Sequence, residues 1–127
     1  MKFDYSVDEE PAVAFIPLRV GHDLPPDRAG DFQAKIDTGS DMTAVPETAA
    51  TFFDLRKAGE LVAEGFDGRR RKLTVYAARL ELPSGERLRL NVLTIPADYV
   101  LLGCDVLNLL RLLLDGPALT LEILPST

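Results

Sequence analysis

Turn-forming residues interrupt this chain so often that few elements longer than a strand fit between them. Pro11, Gly21, Pro25-Pro26, Gly30, Gly39, Gly59, Gly65, Asp67-Gly68, Pro83-Ser84-Gly85, Pro96, Gly103 and Asp115-Gly116-Pro117 fall at short, fairly regular intervals. Such spacing favours strands joined by turns. The segments between them read as strands: Ala12 to Val20, Asp31 to Ile36, Leu61 to Phe66, Lys72 to Leu82, Glu86 to Ile95, Arg111 to Leu114 and Ala118 to Leu124. In Glu86-Arg87-Leu88-Arg89-Leu90-Asn91-Val92 and Leu119-Thr120-Leu121-Glu122-Ile123 the apolar residues alternate. That period of two puts one face in a core and one in water, as antiparallel sheets do.

Two helices are expected. Pro46 suits a first helical position, and Ala49, Phe52, Phe53 and Arg56 recur at helical spacing until Gly59 stops the run. A shorter helix starts after Gly103, with Asp105 as its cap and Val106, Leu109 and Leu110 facing inward. The expected architecture is all-β, a small closed barrel with one or two short helices.

Composition narrows the function. At 127 residues with 46% apolar side chains the chain makes one domain, spanning 1–127, with its polar first 11 residues read as an N-terminal extension. Twenty acidic against fourteen basic side chains leave a net charge of −6, which argues against nucleic acid and anionic membrane as partners. One cysteine, Cys104, and one histidine, His22, exclude an internal disulfide and a thiolate–imidazole zinc site. His22 reads as a surface residue and Cys104 as a buried small hydrophobe. No signal-peptide stretch opens the chain, and the apolar run Tyr99 to Leu114 is broken by Gly103, Asp105, Asn108 and Arg111, short of the about 20 apolar residues of a membrane helix. The expected setting is cytoplasmic.

The informative stretch is Ala34-Lys35-Ile36-Asp37-Thr38-Gly39-Ser40-Asp41-Met42-Thr43. An apolar strand delivers an Asp into a turn of Thr, Gly and Ser, which aims a carboxylate from a loop on a rigid sheet. Asp-Thr-Gly arises by chance in about 2% of chains this long. An Asp in this setting also serves as an Asx-turn residue, and the residues alone leave that reading open.

A second element, Tyr99-Val100-Leu101-Leu102-Gly103-Cys104-Asp105-Val106-Leu107, raises the weight of the first. Together they resemble the retropepsin-like aspartic proteases, single-domain relatives of the retroviral proteases, over residues 12 to 124. The resemblance implies that Asp37 is the catalytic carboxylate, with Thr38, Gly39 and Ser40 supporting its loop. Leu101, Leu102 and Gly103 correspond to the structural brace behind that loop. Gly39 and Asp41 correspond to substrate main-chain contacts, and Gly65, Phe66, Asp67 and Gly68 to the tip of a hairpin flap over the substrate. Thr38 matches a hydroxyl that bonds across a dimer axis, and Ser40 is expected to hydrogen-bond the carboxylate. Cys104 stands where retroviral members carry an Arg that pairs with the equivalent of Asp41. The run Arg69-Arg70-Arg71-Lys72 behind the flap turn reads as a solvated edge rather than a docking site for acidic substrate.

One chain carries one Asp-Thr-Gly, so a second carboxylate must come from a second copy. The implied activity is an aspartic endopeptidase acting on extended peptides as a homodimer, with no metal or organic cofactor. The alternatives are the same fold kept as a weakly active or silent dimerisation or peptide-binding module, and an unrelated ligand-binding β-barrel. Terminal segments commonly build the dimer in this family, and Leu119 to Leu124 is the better candidate because the first ten residues are polar and acidic.

Overall fold

The computed structural model describes residues 1–24, 28–65 and 67–126. Seven strands form one sheet: β2 (Phe15–Gly21), β3 (Ala29–Ile36), β4 (Ala44–Pro46), β5 (Arg56–Glu64), β6 (Arg70–Glu81), β7 (Arg87–Ile95) and β8 (Val100–Leu102), in the order β2-β3-β8-β4-β7-β6-β5. β2 also pairs with β6 through Arg19↔Glu81, Val20↔Leu80 and Gly21↔Arg79. The sheet therefore curls back on itself, and β5 with the outer half of β6 projects as a hairpin. A second sheet, β1-β10-β9, joins β1 (Lys2–Asp4), β10 (Thr120–Leu124) and β9 (Arg111–Asp115). The expected mostly-β architecture is the observed one.

Period-two alternation builds the core. On β2, Ile16, Leu18 and Val20 are buried while Pro17 and Arg19 face out. Ala78 and Leu80 meet them from β6, Leu82 from just beyond it, Val92 from β7, Leu102 from β8, and Leu121 and Ile123 from β10. Full burial of each large aliphatic side chain stabilises the fold by about 1.5–3 kcal/mol. β1, inside the expected N-terminal extension, is a paired strand, with Phe3 opposite Leu121. No helix among the described residues is long and apolar enough to cross a membrane.

Two helical expectations need correction. The first helix, α1 (Glu47–Phe52), ends well before Gly59. Asp54 adopts φ 50, which breaks the helix, and the chain enters β5 at Arg56. Gly59, at φ 152, sits at a bulge where β5 slips against β6. Ala49 and Phe53 face inward as expected, but Phe52 is 79% exposed. In the second helix, α2 (Cys104–Leu107), Gly103 is the cap and Asp105 lies within the first turn. Leu109, expected inward, is 62% exposed, because the helix ends before it.

Two contacts govern how the site is carried. The root of the projecting hairpin is tied to the loop after β2, where Arg56 Nη2 donates to buried Asp23 Oδ2 at 2.6 Å. His22 is half-buried in the same loop, with Nδ1 accepting the Leu24 N–H at 3.0 Å. The second contact is steric. A Cβ on Gly103 would stand 2.7 Å from the Met42 carbonyl carbon and 2.9 Å from Ser40 O, so only glycine lets β8 approach the loop after β3 so closely.

Two outcomes follow from these contacts. The Arg56 guanidinium holds the Asp23 carboxyl below its usual range by hydrogen bonding, against the opposing effect of burial. The contribution is therefore present above the ordinary carboxylate pKa and is lost as pH falls through the lowered one. Arg56→Gln should destabilise the fold by about 1–3 kcal/mol at neutral pH, by leaving a buried carboxylate without its charged donor. Chemical denaturation at pH 7 and pH 3 should show the wild-type and variant stabilities converging at the acid end. Gly103→Ala should cost about 1–3 kcal/mol through overpacking against backbone. Melting curves and amide exchange across 38–43 should show both the loss and a displaced loop.

Candidate active site

Asp37 follows the last residue of β3, whose parallel pairing to β8 runs Ala34↔Val100, Lys35↔Leu101 and Ile36↔Leu102. Its own N–H donates to Leu102 O at 3.1 Å, carrying the ladder one step beyond the strand. The Ser40 N–H returns to Asp37 O at 3.2 Å, and the Gly39 N–H donates to Asp37 Oδ1 at 3.1 Å. The Asx turn left open by the sequence is thus present. It does not exhaust the carboxylate, because among the described residues no donor bonds Oδ2. Asp37 is half-buried, while Thr38, Gly39 and Asp41 are exposed.

Behind the loop lies a hydrogen-bonded brace. The Thr43 hydroxyl donates to Asp105 Oδ1 at 2.7 Å and accepts the Gly103 N–H at 3.0 Å, while the Thr43 N–H donates to Asp105 Oδ2 at 3.0 Å. Thr43 is fully buried, so a hydroxyl used as both donor and acceptor satisfies groups that would otherwise be costly. The first N–H groups of α2 also serve the loop: Cys104 N–H donates to Ser40 O at 2.8 Å and Asp105 N–H to Asp41 O at 3.2 Å. Backbone donors at a helix start need partners, and here the loop carbonyls supply them.

The Thr43–Asp105 pair was invisible in the sequence, where Asp105 reads as a cap for α2. Its spacing from Thr43 follows no local period. Leu102 and Gly103, at the end of β8 and the start of α2, are buried, and Leu101 is half-buried. Ser40 departs from expectation: its Oγ donates to Met42 O at 2.7 Å, within the loop, rather than to the Asp37 carboxylate. Cys104 is half-buried rather than buried, with Sγ 3.3 Å from Thr38 O. That contact packs the Cys104 thiol on the Asp37 loop at Thr38.

The hairpin of β5 and β6 turns through Gly65, Asp67 and Gly68. The Gly65 N–H donates to Arg69 O at 2.9 Å, the Gly68 N–H to Gly65 O at 3.0 Å, and Asp67 Oδ1 accepts the Arg69 N–H at 3.0 Å. Gly68 takes φ 77, a conformation that suits glycine. Phe66 lies outside the described residues. Arg69, Arg70, Arg71 and Lys72 are all exposed, as a solvated run would be, with Arg69 facing Asp67 and Arg70 opposite Glu64. Among the described residues no hydrogen bond joins this tip to the Asp37 loop. A cavity of about 640 Å³ lined by Phe32, Ala49, Phe52 and Phe53 lies beside α1 and includes no residue of that loop. No cluster of three or more His, Cys, Asp or Glu among the described residues could hold a metal ion.

No family model and no curated protein matches the chain. Solved structures do. The simian foamy virus (mac) protease aligns with a TM-score of 0.59 at 21% identity, covering 75% of this chain and 92% of that one. The EIAV protease complexed with the inhibitor HBY-793 aligns at 0.60 and 14% identity, covering 84% and 92%. The foamy viral protease-reverse transcriptase in complex with RNA/DNA hybrid aligns at 0.55 and 18% identity, covering 89% of this chain and 13% of that much longer one. At these identities the likeness is one of fold, and the fold of this chain is retropepsin-like.

Proposed function

We propose that this protein is an aspartic endopeptidase that works as a homodimer, with Asp37 of each copy forming one shared site. The observation that carries the reading is the Asp37 carboxylate itself. It stands half-exposed on a loop locked from behind by the Gly103–Thr43–Asp105 brace, with one oxygen tied to the Gly39 N–H. In a retropepsin-like fold such a carboxylate needs a mate, and each chain carries one Asp-Thr-Gly. A lone carboxylate that is ionised at neutral pH is a weak base and no acid. Two brought together share one proton, because repulsion separates their titrations.

The chemistry then balances without a cofactor. The ionised carboxylate takes a proton from water as its oxygen attacks the peptide carbonyl carbon, and the protonated carboxylate gives its proton to the carbonyl oxygen. Collapse of the resulting gem-diol breaks the C–N bond, with a proton passing to the leaving amine. The β5–β6 hairpin, with Gly65, Asp67 and Gly68 at its turn, would close over an extended peptide and offer it backbone hydrogen bonds. Gly39 and Asp41 would contact substrate main chain from below. Thr38, exposed beside Asp37, would meet its counterpart across the axis.

Asp37→Asn should abolish peptide hydrolysis, lowering the rate by about 10²–10⁴-fold or more, while mass and melting temperature stay close to wild type. Asn keeps the shape and can still accept the Gly39 N–H, but it cannot ionise. The wild-type rate should be bell-shaped in pH, failing at low pH when both carboxylates are protonated and at high pH when both are ionised. Assay of both proteins on a broad peptide library, with sedimentation in parallel, checks this. Full activity in Asp37→Asn would refute the site; a wild-type dimer that cleaves nothing would favour the silent module.

A further inference from the structure

Strand registers carry one face of the large sheet from Asp37 out to the projecting hairpin. Residues opposite each other on neighbouring strands share a face, and so do alternate residues along one strand. Asp37 is two residues beyond Lys35, which stands opposite Leu101, and Leu101 stands opposite Ala44. Ala44 is opposite Leu93 on β7, and Asn91, two residues earlier, is opposite Ala77 on β6. From Ala77 the same face runs outward along β6 through Val75 and Leu73 to Arg71. The core residues Val45, Val92, Ala78 and Leu102 alternate with these and occupy the other face. Asp37 and Arg71 thus share the face turned away from the core.

The two faces of the hairpin differ in charge. On the face without Asp37, Glu60, Glu64, Arg70 and Lys72 balance. Arg70 is directly opposite Glu64, and Lys72, opposite Val62, has Glu60 and Glu64 as diagonal neighbours. Arg69 faces Asp67 within the turn. Arg71 has no such compensation. Ala63 is opposite it, Leu61 and Gly65 are its diagonal neighbours, and among the described residues no ion pair reaches it. Leu61, Ala63 and Leu73 are half-buried and Val75 is buried, so Arg71 is the only charged residue that β5 and the outer part of β6 place on an apolar face. The run Arg69 to Lys72, a solvated edge as a whole, has one member set apart.

We infer that Arg71 is a specificity residue that selects an extended peptide carrying an acidic side chain. A peptide lying along this face presents every second side chain to it. A guanidinium can bind a carboxylate through two parallel hydrogen bonds, and no acid of the hairpin competes for this one. The chain's net charge of −6 disfavours acidic peptides in general, so the preference is confined to one substrate position. That position lies away from the cut bond, because a carboxylate beside Asp37 would be repelled. The inference rests on the reading of Asp37 as the centre of a peptide-cleaving site.

The test reads both cleavage and binding by the whole chain. A peptide library randomised at every position gives the cleavage profile, and matched peptides differing only in Glu for Gln are titrated by fluorescence anisotropy. The wild type should favour Glu over Gln at one position about tenfold, less at high salt, and moving that Glu by one residue should abolish the preference. Arg71→Gln should erase it and Arg71→Glu should turn it toward Lys, whereas Lys72→Gln, on the opposite face, should retain it. The Glu and Gln comparison on wild type serves if an Arg71 variant fails to fold. A wild type without the preference, or a preference that survives Arg71→Gln or vanishes equally in Lys72→Gln, would overturn the role of Arg71 and leave the Asp37 proposal standing. Peptides bound with the preference but never cut would support Arg71 and refute only the activity. A chain that neither binds nor cuts any member would overturn both.

Discussion

The buried Thr43 hydroxyl, between Gly103 N–H and the Asp105 carboxylate, is the contact on which the Asp37 loop depends. The two strand pairs on either side of it, β3 with β8 and β4 with β7, are parallel. Parallel neighbours cannot be joined by a tight turn, so the chain must leave the sheet and return before each pair can close. Between β4 and β7 it makes α1, β5 and β6, and the outer part of that excursion is the projecting hairpin. A crossover long enough to satisfy this parallel pairing thus leaves a hairpin free to project. The Asp23–Arg56 contact then ties the hairpin's root to the loop after β2, while its tip makes no hydrogen bond to the Asp37 loop among the described residues.

That arrangement explains why so small a loop can aim a carboxylate. Of residues 38–43 only Thr43 is fully buried, and Thr38, Gly39 and Asp41 are exposed. Their order comes from the Ser40 and Asp41 carbonyls bonded to Cys104 and Asp105, and from the Thr43 N–H and hydroxyl bonded to Asp105 and Gly103, across about sixty residues of sequence. Removing conformational freedom in advance is what lets a reacting group keep its position without cost at the moment of reaction. The carboxylate itself is spared: one Asp37 oxygen organises the turn and the other takes no donor from the described residues.

What the sequence disclosed and what it hid divide along physical lines. The strict alternation in Leu88, Leu90 and Val92 and in Leu121 and Ile123 is a local signal, and both segments are strands with those residues inward or partly inward. Asp37 and Gly103 were legible because tight turns and close backbone approaches demand particular residue types. Strands β4 and β8 have three residues each, too few for a period to register. The helical spacing of Ala49, Phe53 and Arg56 overran the real helix, although Asp54 is a residue type that tolerates the positive φ it adopts. Thr43–Asp105 and Asp23–Arg56 join residues far apart in sequence, and no short-range pattern encodes such a bond. Lys2–Asp4 reads as part of a polar N-terminal extension because alternating exposure over three residues leaves only Phe3 to point inward.

The strands at the ends of the two sheet orders, β5, β1 and β9, distribute charge differently. β5, at the rim of the large sheet, carries Arg56, Lys57, Glu60 and Glu64. β1, at one side of the small sheet, carries Lys2 and Asp4 around its single inward Phe3. Charge on an edge strand discourages the approach of another strand, because pairing would desolvate or juxtapose those groups. β9 has charge only at its two ends and three leucines between them. In a chain with a net charge of −6, a second copy is repelled on average by the first. Among these strands β9 alone carries no charge along its middle three residues, whereas β5 and β1 carry charge along their lengths.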